Sequence, residues 1–386
     1  MRKITIIVCL ILNALIVADN VHAAFGDIVA QYTFPASSFA MLPGQSLMYA
    51  TIPSQNSVAI INTNTLVVED TVFVGSAPTN LAFSPDGSTA YIANSTSNFV
   101  AVFDTLSRTV IDSFALPEHP QDVVFGNSNR LWVLGESNIF QIDATTGTST
   151  GPNVSGVFVY SGSLEISPDR NTLYYGDYEL SPSTMYKIDV SGTNPVLLLQ
   201  TPFGTVGSNG EDLTISYSGS YICYTVGSGN NNYDIAKLRT SDFLSLGSFV
   251  TGPYPTAMAW SPDDVVAYAS VDTLPGIMAF DANTFLPLGT MSGQDVATKL
   301  ATDSTGRYLF AGYDLFFMGT IVFDTGRTAP TPTPTPTPTA TATPTATATP
   351  TATPSPTPTP TPCTGRCSPT PRPRPTPAPR PQALAS

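Results

Sequence analysis

One pattern recurs seven times along this chain of 386 residues. Its clearest copy reads LAFSPDGSTAYIAN from Leu81 to Asn94 and continues as FVAVFDTLSRTVIDSFAL from Phe99 to Leu116. Aligned on the residue two before the turn proline, or its equivalent, the copies are anchored at Met41, Phe83, Phe125, Ile166, Ile215, Trp260 and Thr302. Successive spacings are 42, 42, 41, 49, 45 and 42 residues. A period of this size built from short strands marks a propeller or another repeat array. Each copy holds four short apolar or alternating runs separated by Gly, Pro, Asn, Asp and Ser. None has a 3.6-residue period long enough for a helix. A single four-stranded antiparallel blade cannot bury both faces, whereas seven stacked radially can. The expected fold is therefore all-β, a seven-bladed β-propeller with four-stranded antiparallel blades over residues 24–327.

Positions within the repeat carry physical roles. Leu81 and Phe83 alternate inward on the innermost strand, and Ser84-Pro85-Asp86-Gly87 forms a tight turn in which proline presets φ and glycine accepts positive φ. An aspartate ends the third strand at Asp104, Asp143, Asp189, Asp281 and Asp324, with Asn62 and Arg239 in the other two copies. Its side chain is expected to bond backbone N–H groups of the turn that follows. The seventh copy stops at its third strand. The segment from Asp27 to Phe34 is like an outer strand of the other blades, so it is expected to complete blade 7, close the ring and remove two exposed edges.

The copy with Tyr91-Ile92-Ala93-Asn94 and Phe103-Asp104-Thr105 resembles the YVTN-type β-propeller repeat of bacterial and archaeal surface and secreted proteins. The resemblance spans roughly Ala24 to Arg327 and is strongest in blade 2. Blade 3 departs from it, lacking the Pro-Asp turn and carrying Trp132 where other copies have Tyr; blade 5 carries Cys223 there. The repeat is specific for fold and says little about function, because propellers host many unrelated activities.

The N-terminus reads as a leader over residues 1–23: MRK, an apolar run from Ile4 to Ala18, then Val21-His22-Ala23. Cleavage is expected after Ala23, with an uncleaved membrane anchor as the alternative, although the apolar run is short for a span. That places the protein outside the cytoplasm, as a secreted, periplasmic or cell-surface chain. Residues 328–386 form a Thr/Pro-rich tail with almost no large apolar side chains, so it builds no core. In extended polyproline form Thr328 to Pro362 reaches on the order of 100 Å, which suits a stalk. Cys363 and Cys367 are expected to close a small disulfide loop in it, while Cys223 reads as a buried thiol. The formal charge of the chain is −13. Without Arg2, Lys3 and Asp19 it is −14, and the tail carries four arginines and no acid, which leaves about −18 on residues 24–327. An acidic body argues against nucleic acid as a partner.

Only His119 remains beyond the leader, which excludes a multi-histidine metal centre from those residues. Topology points instead to one face of the ring. Loops entering the inner strands, and loops joining second to third strands, surround the channel mouth. Mapping the copies places Glu118, His119, Asp122, Glu136, Asp177, Glu179, Glu211, Asp212, Asp234, Asp272, Asp295 and Asp314 on that face. Tyr178, Tyr233, Tyr254, Phe316 and Phe317 are nearby. Carboxylates with backbone carbonyls suit Ca²⁺ or Mg²⁺, although no cofactor is required by any motif. Acid plus aromatic suits a carbohydrate or peptide groove. The leading expectation is a monomeric binding module that recognises an extracellular protein, peptide or polysaccharide from the end of a stalk. The alternative implied by likeness to lactonase-type propellers is a metal-dependent hydrolase, with Glu211 or Glu118 as ligand or base.

Overall fold

The computed structural model describes residues 23–202, 205–228, 234–293, 295–313 and 319–327. The leader up to residue 22, the tail with Cys363 and Cys367, and Asp314, Tyr233, Phe316 and Phe317 lie outside the described residues. Seven antiparallel sheets stand side by side; six are built from strands in sequence order from the channel outward, and the seventh takes its outermost strand from the N-terminal segment. Blade 2 is representative: Pro78–Phe83, Thr89–Asn94, Phe99–Asp104 and Thr109–Ala115. Each inner strand contacts the inner strand of the next blade, and blade 7 (Lys299–Thr302) returns to blade 1 (Ser38–Met41).

Local chemistry accounts for the repeat. In the blade 2 turn the Ser84 hydroxyl donates to Asp86 Oδ1 at 2.7 Å, and Thr89 N–H donates back to Ser84 Oγ at 3.0 Å. The Ser84 hydroxyl, together with the Ser88 N–H and hydroxyl, holds the Asp86 carboxyl down at about 2. Ser167 with Asp169 and Ser261 with Asp263 repeat the arrangement. The strand-ending aspartates behave as expected. Asp281 Oδ1 accepts the N–H groups of Asn283 and Thr284 at 3.0 and 2.7 Å, and Asp104, Asp143, Asp189 and Asp324 make equivalent bonds. Asn62 substitutes with its amide oxygen.

The buried apolar side chains form seven clusters, and each is shared by two adjacent blades. Tyr49, Tyr91, Trp132, Tyr174 and Tyr268 occupy equivalent second-strand positions in this packing. Blade 5 compensates for Cys223. Blade 2 sets Tyr91 opposite Val102, whereas Cys223 lies opposite Lys237. The lysine stem fills the space that the small thiol leaves, and its ammonium lies 3.7 Å from the centre of the Tyr221 ring while donating to the Ala282 carbonyl at 2.9 Å. Burial pushes the Cys223 thiol well up, so it stays protonated and unreactive.

Blade 3 corrects the expectation of four strands in every blade. Its sheet holds Asp122–Phe125, Arg130–Leu134 and Ile139–Asp143, and the fourth position is reduced to a single bridge between Ile142 and Ser149. The segment TTGTSTGPN has no alternating apolar pattern, and Gly151-Pro152 interrupts it. Gly126 takes the place of the turn serine of blade 2, and a side chain there would run into the Trp132 indole at 2.7 Å, so the larger aromatic favours glycine. Arg130, 4% exposed, then ties blade 3 to blade 4. Its guanidinium donates to the Gln141 side chain and to the carbonyls of Val190, Ser191 and Gly192.

Ring closure is as the repeat implied. Ile28–Tyr32 is the outermost strand of blade 7, with Ile28 opposite Phe323 and Tyr32 opposite Thr320. The Thr320 hydroxyl donates to the Phe34 carbonyl at 2.8 Å and accepts the Ala36 N–H at 3.2 Å. Deleting residues 24–34 exposes the Gly319–Asp324 edge. We expect a melting midpoint lower by roughly 10 °C or more, with concentration-dependent association in light scattering. An unchanged melt and a monodisperse sample would show that the N-terminal strand does not close the ring.

Candidate functional site: the channel mouth

The inner strands carry their side chains in two alternating sets. The set in register with the anchors is mostly apolar and enters the inter-blade clusters. The offset set supplies most of the polar groups at the channel mouth. Three residues before each anchor stand Ser38, Asn80, Asp122, Ser163, Asp212, Ala257 and Lys299. All but Ala257 border a cavity of about 390 Å³ at the end where the chain enters the inner strands. Gln121, Tyr178, Glu211 and Thr298 complete its upper wall.

These side chains are pre-positioned by bonds that run from blade to blade. Ser38 Oγ donates to Asn80 Oδ1 at 2.6 Å, and Asn80 Nδ2 donates to Asp122 Oδ1. Asp122 Oδ2 accepts the N–H of Leu164 in blade 4 at 2.7 Å. On the other side, Lys299 Nζ donates to Asp212 Oδ1 at 2.7 Å, while Asp212 Oδ2 accepts the N–H of Met258 in blade 6 at 3.1 Å. A second layer of hydroxyls works the same way: Thr79 donates to the Gln121 carbonyl and Thr256 to that of Ala297. Asp122 and Asp212 are each buried, so these bonds are what make their charge tolerable there.

Electrostatics divides the acids. Burial pushes the Asp122 carboxyl up, against the pull of Leu164 N–H, Asn80 and Lys299. Burial opposes the charge on Lys299, and the adjoining Asp212 more than offsets it, so the ammonium titrates above the usual range. Glu211 is exposed on the cavity wall and raised by burial together with Glu179, Asp272 and Asp212. Tyr178 is held neutral by burial and by the charge of Asp212. Deeper, one residue before each anchor, the layer reads Ala40, Ala82, Val124, Glu165, Thr214, Ala259 and Ala301. Glu165 is its one ionisable member, and burial raises its carboxyl to about 8.

The structure brings Asp122, Glu211, Asp212 and Tyr178 together at this cavity. The other candidates are placed apart from its lining. Glu118 pins the loop into blade 3 through Ser137 N–H, Ser137 Oγ and Asn138 Nδ2, at 2.8, 2.6 and 2.6 Å. Burial opposes its charge, and those bonds outweigh it to leave the carboxyl lowered. His119 Nδ1 lies 3.1 Å from the Ser95 carbonyl. Asp177 is buried at a strand end, where both oxygens accept the Thr184 N–H at 3.0 Å and burial raises it to about 6. Glu179 and Asp272 are exposed, Asp234 is half-buried beside Val206 and Leu238, and Asp295 is half-buried near Tyr313. Among the described residues no three His, Cys, Asp or Glu side chains converge closely enough to hold a metal ion.

Sequence reasoning passed over Lys299, Asn80, Ser38, Ser163 and Glu165. Their signal was present: they occupy the register positions of Asp122 and Asp212, or break a run of small residues two positions later. A search for acids on loops does not examine the strands.

No protein-family model matches the chain. Among curated proteins it is 30% identical over 142 residues to the seven-bladed beta-propeller protein Rv1057 of Mycobacterium tuberculosis. That match spans 34% of this chain and 35% of the relative's length. Among solved structures it superposes on a chain of Kuenenia stuttgartiensis hydrazine synthase with a TM-score of 0.62 and 18% identity, covering 79% of this chain and 98% of that one. It also superposes on the β-propeller domain of Myceliophteria thermophila Cps50 (Swd1), with a TM-score of 0.65 and 11% identity, covering 77% and 99%. At these identities the likeness shows the fold: a seven-bladed β-propeller.

Two outcomes follow from the charges. Asp122→Ala strips acceptors from Leu164 and Val123 N–H and from Asn80. We expect a loss of about 2–4 kcal/mol in denaturant titration; a loss within error would mean the belt contributes nothing to stability. Glu165 keeps its proton to about 8 in the fold, against 4.5 unperturbed. The folded state thus gains from that proton below 4.5 and loses the gain as pH rises through about 8. Glu165→Gln cannot ionise. It should melt with the parent near about pH 5 and about 5 °C above it near about pH 9. Parallel melting curves at both values would refute the raised carboxyl.

Proposed function

We propose that this chain is an exported recognition protein of the YVTN type, in which the propeller is a binding head. The observation that carries the reading is the mouth cavity of about 390 Å³. Its wall is a fixed array of hydroxyl, amide, carboxylate and ammonium groups contributed by most of the blades, and convergent polar groups on a rigid frame suit selective binding. Tyr178 lies on the cavity wall, and Tyr160, 47% exposed, immediately precedes Ser161 there, so aromatic groups accompany the polar ones. Aromatic faces beside hydrogen-bonding groups fit a polysaccharide or peptide end. Residues 1–23 are the export leader, and residues 328–386 the stalk that holds the head away from its attachment, with Cys363 and Cys367 paired. The negative body keeps nucleic acid from the partner list. The metal-dependent hydrolase reading has less support, since no ligand cluster forms among the described residues.

The test is retention of the purified chain on immobilised envelope and extracellular polymers, repeated with Glu211→Ala. Glu211 is exposed, so the substitution leaves the fold intact. We expect retention on one polymer class and a loss of about tenfold in affinity in the variant, which corresponds to about 1.4 kcal/mol. Retention that Glu211→Ala leaves unchanged would move the binding surface away from the mouth.

A further inference from the structure

Beneath the mouth the channel holds two further spaces, of about 280 and 200 Å³, both bordered by Phe39, Glu165 and Lys299. Their walls mix polar groups with hydrocarbon, the latter from residues such as Ala82, Val124 and Ile166 on one side and Met258, Ala259 and Ala301 on the other. Glu165 belongs to a layer that is otherwise small and unionisable, and packing there would be served equally by alanine. The charges facing it come from Lys299, Asp122 and Asp212 on the neighbouring inner strands. Arg170 borders the larger space, with its guanidinium over Phe125, and Tyr217 borders the smaller. The inner strands of blades 1, 2 and 6 bring no titratable side chain. With every acid ionised, three carboxylates face two cations, so the chamber is one positive charge short.

We propose that this chamber binds a small aliphatic amine, with its ammonium accepted by the Glu165 carboxylate and its short hydrocarbon body against the apolar side chains among the lining, such as Ala82, Val124 and Met258. The chemistry selects this class. An anion would add to an existing excess of negative charge, and a bare divalent ion lacks a set of three ligands among the described residues. An ammonium supplies the missing charge and needs only hydrogen-bond acceptors. The raised Glu165 carboxyl agrees with the geometry, because in the empty chamber a proton serves as the neutralising cation. Binding is then an exchange. The Glu165 carboxylic acid gives its proton to solvent, and its carboxylate pairs with the incoming ammonium. The site lies below the mouth and stands independently of export and polymer recognition.

The experiment is calorimetric titration of the full chain with n-butylamine hydrochloride near about pH 7, in two buffers of different ionisation enthalpy. We expect one site per chain, release of close to one proton, and affinity that tightens about tenfold per pH unit until about pH 8 and then levels. Sodium at the same ionic strength and sodium butyrate should not compete. Glu165→Gln should weaken binding at least about tenfold, or 1.4 kcal/mol, while keeping the parent melt at low pH. A readout on the unaltered chain is the ¹³C shift of the Glu165 carboxyl, whose titration should move to lower pH at saturating amine. Affinity independent of pH, full affinity in Glu165→Gln, an unmoved carboxyl titration, or displacement by sodium would each overturn the proposal.

Discussion

Everything in this protein depends on burial that no blade can complete alone. Each of the seven apolar clusters draws side chains from two neighbours: Tyr49 of blade 1 packs edge-on against Phe83 and Phe103 of blade 2, and Phe249 of blade 5 against Trp260 and Phe280 of blade 6. The hydrophobic effect therefore acts between repeats more than within them. That constraint fixes blade spacing, and the spacing leaves an axial channel lined by the inner strands. The channel is a by-product of the core, and the functional groups are whatever the strands present on their second face.

That geometry also explains what was legible in the sequence. Fold, blade number and ring closure follow from period and from the aspartate that ends five of the seven third strands, because both reflect short-range backbone chemistry repeated along the chain. The repeat implies a fourth strand in blade 3 by position alone, whereas Thr145–Asn153 lacks the apolar residues that the other outer strands carry. For the site, topology identified the correct end of Asp122 and Asp212, but treated Asp177 and Glu118 alike with them. Their difference is tertiary: Asp177 caps Thr184 and Glu118 holds Ser137, each through bonds made after folding. Lys299 was invisible to a search for acids, although its register equivalence with Asp122 was in the sequence.

Charge in the channel is organised by unequal partnership. Asp212 has both a cation and a backbone N–H, Asp122 has backbone and amide donors, and Glu165 has the weakest support of the three. Acids on different inner strands are thus held by different partners, set by what the adjacent blade offers. A sevenfold scaffold is in this way made chemically asymmetric without any change of backbone path, and the single lysine defines a unique direction around the ring.

The closing strand has a consequence in time. Ile28–Tyr32 emerges from the ribosome among the first ordered residues, and its partner Gly319–Asp324 among the last. At about 5–20 residues per second the interval is on the order of 15–60 s. Throughout it, one strand is without its sheet and each newly made blade presents an apolar flank awaiting the next. Sequence-distant pairing of this kind folds slowly and exposes aggregation-prone edges. The last blade is the only one assembled from both ends of the domain, so a chain halted before Gly319 carries most of its core yet has no ring.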